Sequence, residues 1–560
     1  MTIEDIIRIL RKNHWDMYII THNNAFIGQD VLPQENKLLE LCNFSGSAGN
    51  LIITQNKSYL LVDGRYTLQA QKEVSHPLVE VICTTDSVGG WLQKNISTPS
   101  KIAYNGWCHS IAEVEFWNRT LKQHQFIEDE KNDFNQIVPT SDNNVFEHGI
   151  EFAGISSEEK ISYLTSFMHT DNLDAFFISE PDAVSWLLNL RSDILPNTPI
   201  LRAFALINKN AEVKLFTNDF SKIDDELSAY KNKTIGLAFN HTPKSIYSIM
   251  KKHKIWVQNH LNPIQQWKSV KNPIELDGFK DCHRQDAIAV CRFLYWLETN
   301  WHNQTELSIS QKLYEFRSQS PLFKGNSFDT ISAFAGNGAI VHYHPTPATD
   351  SPLTTDNILL LDSGGQYLNG TTDITRTIAI GNINDSEIIN SFTQVLKAHI
   401  AAANTIFPAN TSGNTIDTIS RSQLWQFGKD YQHGTGHGVG YYLNVHEGPF
   451  SLSHNRNTAP LEANQITSIE PGYYVENNYG IRIENLYYIA PMNNPDFPLP
   501  MLCFVPLTIV PIDKRLINKY LLTKQEICWL NQYHQLVFEQ LNQHLPSEIQ
   551  SWFAEACSPL

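Results

Sequence analysis

The sequence predicts an α/β multidomain protein, and three observations carry that prediction. Short apolar runs that read as strands alternate with helical periods through the first half of the chain. The 560 residues are more than one domain ordinarily holds, at roughly 100–200 residues each. Between 340 and 485, titratable residues gather at the ends of apolar runs, which neither earlier part of the chain matches.

Composition narrows the class. With 42 Lys and Arg against 58 Asp and Glu, the net charge is −16 and the isoelectric point near 5.7. That balance weighs against a general nucleic-acid or anionic-membrane surface, which would need a basic field. A hydrophobic fraction of 42% with 11% aromatic residues excludes disorder as the dominant state. No run reaches the ~18–20 apolar residues of a membrane span; the nearest, 501–511, carries Pro506 and Pro511. Glu4 and Asp5 stand where a signal peptide would be basic. Eight cysteines without a CxxC read as mostly buried thiols in a reducing compartment, so a cytoplasmic location is expected.

The elements follow in order. Thr2 and Asp5 have capping-box spacing, and Ile3, Ile6, Ile7 and Leu10 share a face, so the chain opens on a helix. Strands are predicted at 17–20, 51–54 and 59–62, the last closed by Asp63-Gly64. A polar stretch over 140–154 ends the first domain, placed at 1–155. Ser156 and Glu159 then form a second capping box, opening a helix over 160–168. The middle domain, 156–263, adds a strand at 175–178 and an apolar stretch at 184–190. Asn262-Pro263 and Asn272-Pro273 lead into a long helix in which Ala287, Val290, Cys291, Leu294 and Leu297 share a face. Residues 264–560 read as one larger α/β unit.

The chemistry concentrates in that unit. The buried-strand run 358–361 ends in Asp362-Ser363-Gly364-Gly365. After an Asn369-Gly370 turn, the alternating β-branched run around Asp373 reads as a returning strand, which brings Asp362 and Asp373 near each other. His433 and His437 lie in a glycine-rich segment unsuited to a helix, and His446-Glu447-Gly448-Pro449 follows. Glu470 closes one strand. The period of two puts Arg482 and Glu484 on one face of another, with Ile481 and Ile483 opposite. Singly, each has a bland reading: a turn aspartate, a self-capping loop, a hydrogen-bonded core histidine. Together they do not, because unpaired carboxylates are rarely buried and three of the four abut apolar strands.

The segments DSGGQYLNGTTDITRT, HGTGHGVGYYLNVHEGP, SIEPGYY and GIRIEN resemble the metallopeptidase domain of the aminopeptidase P family, whose fold is called pita-bread. Phe44 to Gly49 with Asp63-Gly64-Arg65-Tyr66 resembles the first domain of the three-domain, cytosolic-type Xaa-Pro aminopeptidases. Trp186 to Arg191 resembles their second domain, and Val270-Lys271-Asn272 and Trp529 to His534 match as well. The resemblance implies two creatinase-type N-terminal α/β domains before a pita-bread catalytic domain. It implies that Asp362, Asp373, His437, Glu470 and Glu484 hold two metal ions, with Asp373 and Glu484 bridging. It maps the family's substrate-site histidines onto His342, His433 and His446, and pairs Arg482 with a ligand carboxylate. A homodimer is expected on the same ground; aromatic helical patterns near Trp529 and Trp552 fit either an interface or a core.

Four carboxylates and one imidazole form a hard, oxygen-rich donor set. It suits manganese, magnesium, iron(II) or cobalt(II) more than structural zinc. Two Mn2+ ions are the first expectation, with Zn2+ or Co2+ as alternatives. The expected reaction is release of the first residue from peptides with proline second, by attack of a hydroxide bridging the ions. Glu470 is the expected general base, His446 the oxyanion partner, and His342 and His433 the orienting groups. The alternative is prolidase, which cleaves only Xaa-Pro dipeptides and usually has one leading domain. Creatinase needs no metal set, and methionine aminopeptidases leave the first two domains unexplained. A non-catalytic peptide-binding pita-bread protein would typically have lost ligands, and none is missing here.

Overall fold

The structure, a computed structural model, describes residues 1–28, 30–130, 144–217, 220–354, 356–454 and 459–560. The start of the polar stretch, 140–143, lies outside them. The chain forms two compact units. One holds Met1–Glu147, Ile155–Leu195 and Ile200–Ile264; the other holds His148–Gly154, Pro196–Pro199 and Gln265–Leu560.

The first unit is built on two larger sheets and a short two-stranded one, Val145–Glu147 with Leu190–Ser192. A six-stranded sheet runs Val79–Cys83, Ser58–Val62, Asn50–Thr54, Met17–Thr21, Lys101–Tyr104, Gln125–Glu128. Its central strand, Met17–Thr21, is buried throughout and alternates faces. Tyr18 and Ile20 pack with Ile3, Ile6, Ile7 and Leu10 of the first helix. Met17 and Ile19 pack on the other side with Trp91, Val114 and Trp117. Helix Ile3–Asn13 carries the full capping box of Thr2 and Asp5. Helix Ser157–Thr170 carries only half of its predicted box: Ser156 accepts from the Glu159 amide, while the Glu159 carboxylate accepts from Tyr163 Oη at 2.6 Å. A phenol one turn on outcompetes the cap backbone for that carboxylate. The second sheet runs Val213–Phe216, Phe204–Asn208, Ala175–Ile178, Thr234–Leu237, Trp256–Asn259. Arg202 donates to the buried Glu35 at 2.5 Å, and Asn24 and the Leu32 amide donate to its other oxygen at 3.1 Å.

The second unit places a three-stranded antiparallel sheet (Ile331–Phe334, Asn357–Ser363, Ile374–Ile380) beside a six-stranded one. The latter contains Gly436–Gly438, Ile466–Ile469, Asn485–Met492 and Met501–Pro506, so the apolar run at 501–511 is in part a sheet strand. Among the described residues no helix is long and apolar enough to cross a membrane. Helix Pro273–Asn300 starts on Asn272, whose side chain accepts from the Ile274 and Glu275 amides. Its Ala287, Val290, Cys291 and Leu297 are buried, and Leu294 is half-buried against the same core. Trp529 stacks on Tyr533 and Trp552 donates to Glu298 at 2.6 Å, both packing on that core. The tight reversal near 370 falls one residue earlier than predicted. Tyr367 pairs with Gly370, leaving Leu368-Asn369 at the tip, and Gly370 takes φ +150°, where a side chain would also meet Cys282.

Candidate metal centre

Register brings the first two carboxylates together. Strand Asn357–Ser363 pairs antiparallel with Ile374–Ile380, so Asp362 opposes Thr375 and Asp373 lies just before the ladder. The glycine segment is not helical, as expected: it forms strand Gly436–Gly438 against Glu447–Leu452 and Ile466–Ile469. Gly436 is obligatory there, since a Cβ would overlap the Ser468 carbonyl. That close approach sets His437 beside Glu470: the His437 amide donates to Ser468 Oγ at 3.0 Å, and Ser468 Oγ donates to Glu470 Oε1 at 3.2 Å. Hairpin Gly472–Val475/Tyr479–Arg482 then delivers Arg482, and Glu484 follows it.

The resulting geometry is that of an ion site. Asp373, His437 and Glu484 each offer a ligand atom, all within 4.8 Å of one another. His437 Nε2 lies 3.5 Å from both Asp373 Oδ2 and Glu470 Oε1. Its Nδ1 donates to the Gly438 carbonyl at 2.9 Å, so Nε2 is the ring nitrogen that faces the two carboxylates and is placed to hold an ion with them. The carboxylates gathered there repel one another, and a shared cation removes that repulsion. Asp362 Oδ1 and Glu484 Oε1 are buried without a hydrogen-bond donor among the described residues. Burial pushes Asp373 and Glu484 well above the usual carboxylate range, and the neighbouring carboxylates push the same way. Burial raises Glu470 also. The residues present therefore fit hard divalent ions.

A hydrogen-bonded rim surrounds this cluster. Arg482 donates to Asp362 Oδ2 at 2.6 Å, to Thr375 Oγ1 at 3.2 Å and to Tyr474 Oη at 2.7 Å. Tyr474 in turn donates to His433 Nε2 at 2.8 Å, because His433 Nδ1 is committed to the Gly434 carbonyl. Burial pushes the Tyr474 phenol up to about 12, which keeps that donor proton in place at neutral pH. The exposed His446 ring sits edge-on to His437, centroids 4.3 Å apart. His342 is half-buried next to Val341, whose carbonyl accepts from Arg482 at 3.5 Å. Arg65, in the first unit, is paired with Asp63 at 2.7 Å.

The structure thus gathers Asp362, Asp373, His437, Glu470, Glu484, Arg482, His433 and His446. Tyr474 and Thr375 were not singled out from sequence. The signal for Tyr474 was the hairpin itself, which pairs Gly472 with Arg482 and so sets Tyr474 two residues along on the same face. Thr375 Oγ1 donates to Glu484 Oε2 at 2.8 Å, a contact across 109 residues with no local signature.

Residues 277–491 match metallopeptidase family M24 and 500–560 match the C-terminal region of that peptidase group. Residues 3–130 and 138–235 each match the creatinase/prolidase N-terminal domain. A probable Xaa-Pro aminopeptidase P from Laccaria bicolor is 34% identical over 99% of this chain and 92% of its own length. The chain belongs to the aminopeptidase P group of the M24 metallopeptidases. This M24 chain is also 31% identical to Xaa-Pro aminopeptidase 1 of Dictyostelium discoideum, over 96% of its residues and 92% of the relative's. The X-prolyl aminopeptidase of Caenorhabditis elegans, described as a cytosolic enzyme with a di-nuclear active site, superposes with a TM-score of 0.92. That similarity covers 100% of both chains at 28% identity. The fold is accordingly the creatinase-type N-terminal architecture with an M24 catalytic domain, and the protein is a hydrolase.

Proposed function

We propose that this enzyme removes the N-terminal residue from peptides that carry proline in second position. What carries the proposal is the cluster of Asp373, Glu470 and Glu484 around His437, on a chain similar along its length to aminopeptidases P. Asp373 and Glu484 would bridge two ions, Asp362 would chelate one, and His437 with Glu470 would hold the other. When bound, two divalent ions acidify a water and polarise the scissile carbonyl. Mn2+ is the proposed ion, with Co2+ or Zn2+ as competitors, because four of the five donors are carboxylates.

The chain's own groups do the rest. Glu470 takes the proton of the attacking water on its carboxylate, which Ser468 Oγ orients by donating to Oε1 at 3.2 Å. His446, exposed at the rim, donates to the oxygen on which charge develops. His433, its Nε2 capped by Tyr474, and His342 orient the peptide. An Xaa-Pro bond is a tertiary amide without an N–H. Proteases that rely on that donor fail on it, whereas a site that orients the carbonyl and the free amine does not need it. Cytoplasmic residence, a homodimer and domain borders at 155 and 263 complete the proposal. Their support is the reducing-type cysteine set, the family resemblance and the breaks in sequence pattern; fractionation, light scattering and limited proteolysis test them in turn.

The experiment is hydrolysis of an Xaa-Pro-Xaa tripeptide beside the matching Xaa-Pro dipeptide, in chelator and after Mn2+ is restored. Metal-dependent release of the first residue from the tripeptide alone is expected. Cleavage of the dipeptide alone would move the assignment to prolidase.

A further inference from the structure

The Trp529–His534 segment has no place in the chemistry above, yet it reaches the ligand-bearing strands. Tyr533 lies on helix Lys524–Leu541, and its hydroxyl accepts from Arg376 Nη2 at 3.1 Å and donates to the Val510 carbonyl at 2.8 Å. Arg376 is buried on strand Ile374–Ile380, and its five N–H groups face six neutral acceptors, Nη2 sharing its two hydrogens among three of them. Nη1 donates to the carbonyls of Thr375 (2.9 Å) and Glu484 (2.7 Å). Nη2 also donates to Asn485 Oδ1 (2.8 Å) and the Val510 carbonyl (2.7 Å), and Nε to the Pro511 carbonyl (3.1 Å). A buried guanidinium must keep its N–H groups satisfied, and its planar fork fixes where the acceptors stand.

Two of those acceptors, the Thr375 and Glu484 carbonyls, bear on one residue. The Glu484 amide donates to the Thr375 carbonyl at 3.2 Å, its carbonyl accepts from Arg376, and Thr375 Oγ1 donates to its Oε2. Both backbone groups and one carboxylate oxygen of Glu484 are thereby fixed, and Oε1, the bare oxygen, has a single place to be.

We infer that Tyr533 and Arg376 are positioning residues for the metal centre, through which the C-terminal helix sets the location of Glu484 Oε1. The inference rests on Glu484 being a metal ligand. A side chain held from behind in this way binds an ion without first losing its own freedom, so loosening the hold weakens binding even though no ligand is removed.

The test is calorimetric titration of the metal-stripped, full-length protein with Mn2+, beside thermal unfolding of the stripped form. Tyr533→Phe keeps the ring and deletes the hydroxyl; about tenfold weaker Mn2+ binding is expected, the low end for outer partners of metal ligands. Leu541→Ala, on the same helix but away from the hub, should lower the stripped protein's unfolding temperature and leave Mn2+ affinity unchanged. Mn2+ affinity of Tyr533→Phe within twofold of the parent would overturn the inference, as would equal weakening in Leu541→Ala. Glu484→Gln separates the two levels. If it binds Mn2+ like the parent, the ligand assignment itself falls. If it loses binding while Tyr533→Phe does not, only the positioning role falls.

Discussion

Glu35 in the first unit and Glu484 in the second are both buried carboxylates, and their surroundings are opposite. Glu35 has a guanidinium at 2.5 Å and neutral donors on its other oxygen. Glu484 has one hydroxyl donor, one bare oxygen and three carboxylates raising its proton affinity. The first is a charge the fold has solved for itself. The second is a charge the fold leaves open, and an open buried charge is stable only with something that arrives from outside. The same division runs through the second unit, where Asp286 is closed by Arg317 and Glu447 by Lys268 and Lys271. The functional site is thus recognised by acids that crowd together and outnumber the cation paired with them, Arg482 on Asp362.

Four experiments press on that contrast. Glu470→Ala removes an open charge that also moves a proton. Turnover should fall by about 10³–10⁴-fold, or about 4–5 kcal/mol of barrier, with weaker Mn2+ binding; activity near the parent's would remove Glu470 from the mechanism. Arg202→Met opens the closed pair, and about 3–4 kcal/mol of unfolding free energy should go, read from urea midpoints, while Mn2+ affinity stays. If the Glu35→Leu/Arg202→Met double variant recovers none of that loss, the cost came from packing instead.

Closing the open site with Mn2+ at about 100 times its Kd should add about 2.7 kcal/mol per ion bound, and at a fixed Mn2+ concentration the gain should depend on pH. Asp373, Glu470 and Glu484 hold protons more tightly folded than unfolded. In the stripped protein their contribution is complete below the ordinary carboxylate value, about 4, and is lost as pH rises through the raised folded values. The unfolding-temperature gap between Mn2+-loaded and stripped protein should therefore widen from pH 5 to pH 8; a flat gap would contradict the open-charge picture. The smallest effect belongs to Tyr474→Phe, which unlinks Arg482 from His433 without touching a ligand carboxylate. A fall of about tenfold in kcat, near 1.4 kcal/mol, is expected, and an unchanged kcat would make the link ornamental.

What the sequence revealed follows the same physical line. Strand Asn357–Ser363 was legible because Ile358 to Leu361 are uniformly apolar, and the non-helical histidine segment because Gly434, Gly436 and Gly438 each disfavour a helix. Both are local properties. Thr375 to Glu484 and Arg376 to Tyr533 join residues 109 and 157 apart, and nothing in either neighbourhood announces the other. Glu159 failed as a cap for a related reason: whether a carboxylate turns back or accepts from Tyr163 depends on side-chain geometry that spacing does not encode.

The order of these residues along the chain has a consequence for synthesis. A ribosome releases Asp362, Asp373, His437, Glu470 and Glu484 one after another, with Tyr533 behind them all. An ion met by the growing chain finds isolated carboxylates that grip it loosely, and ligand chemistry alone would favour whichever metal binds most avidly. The finished fold instead offers preset spacing, so choice of metal is deferred to a moment when geometry can overrule avidity.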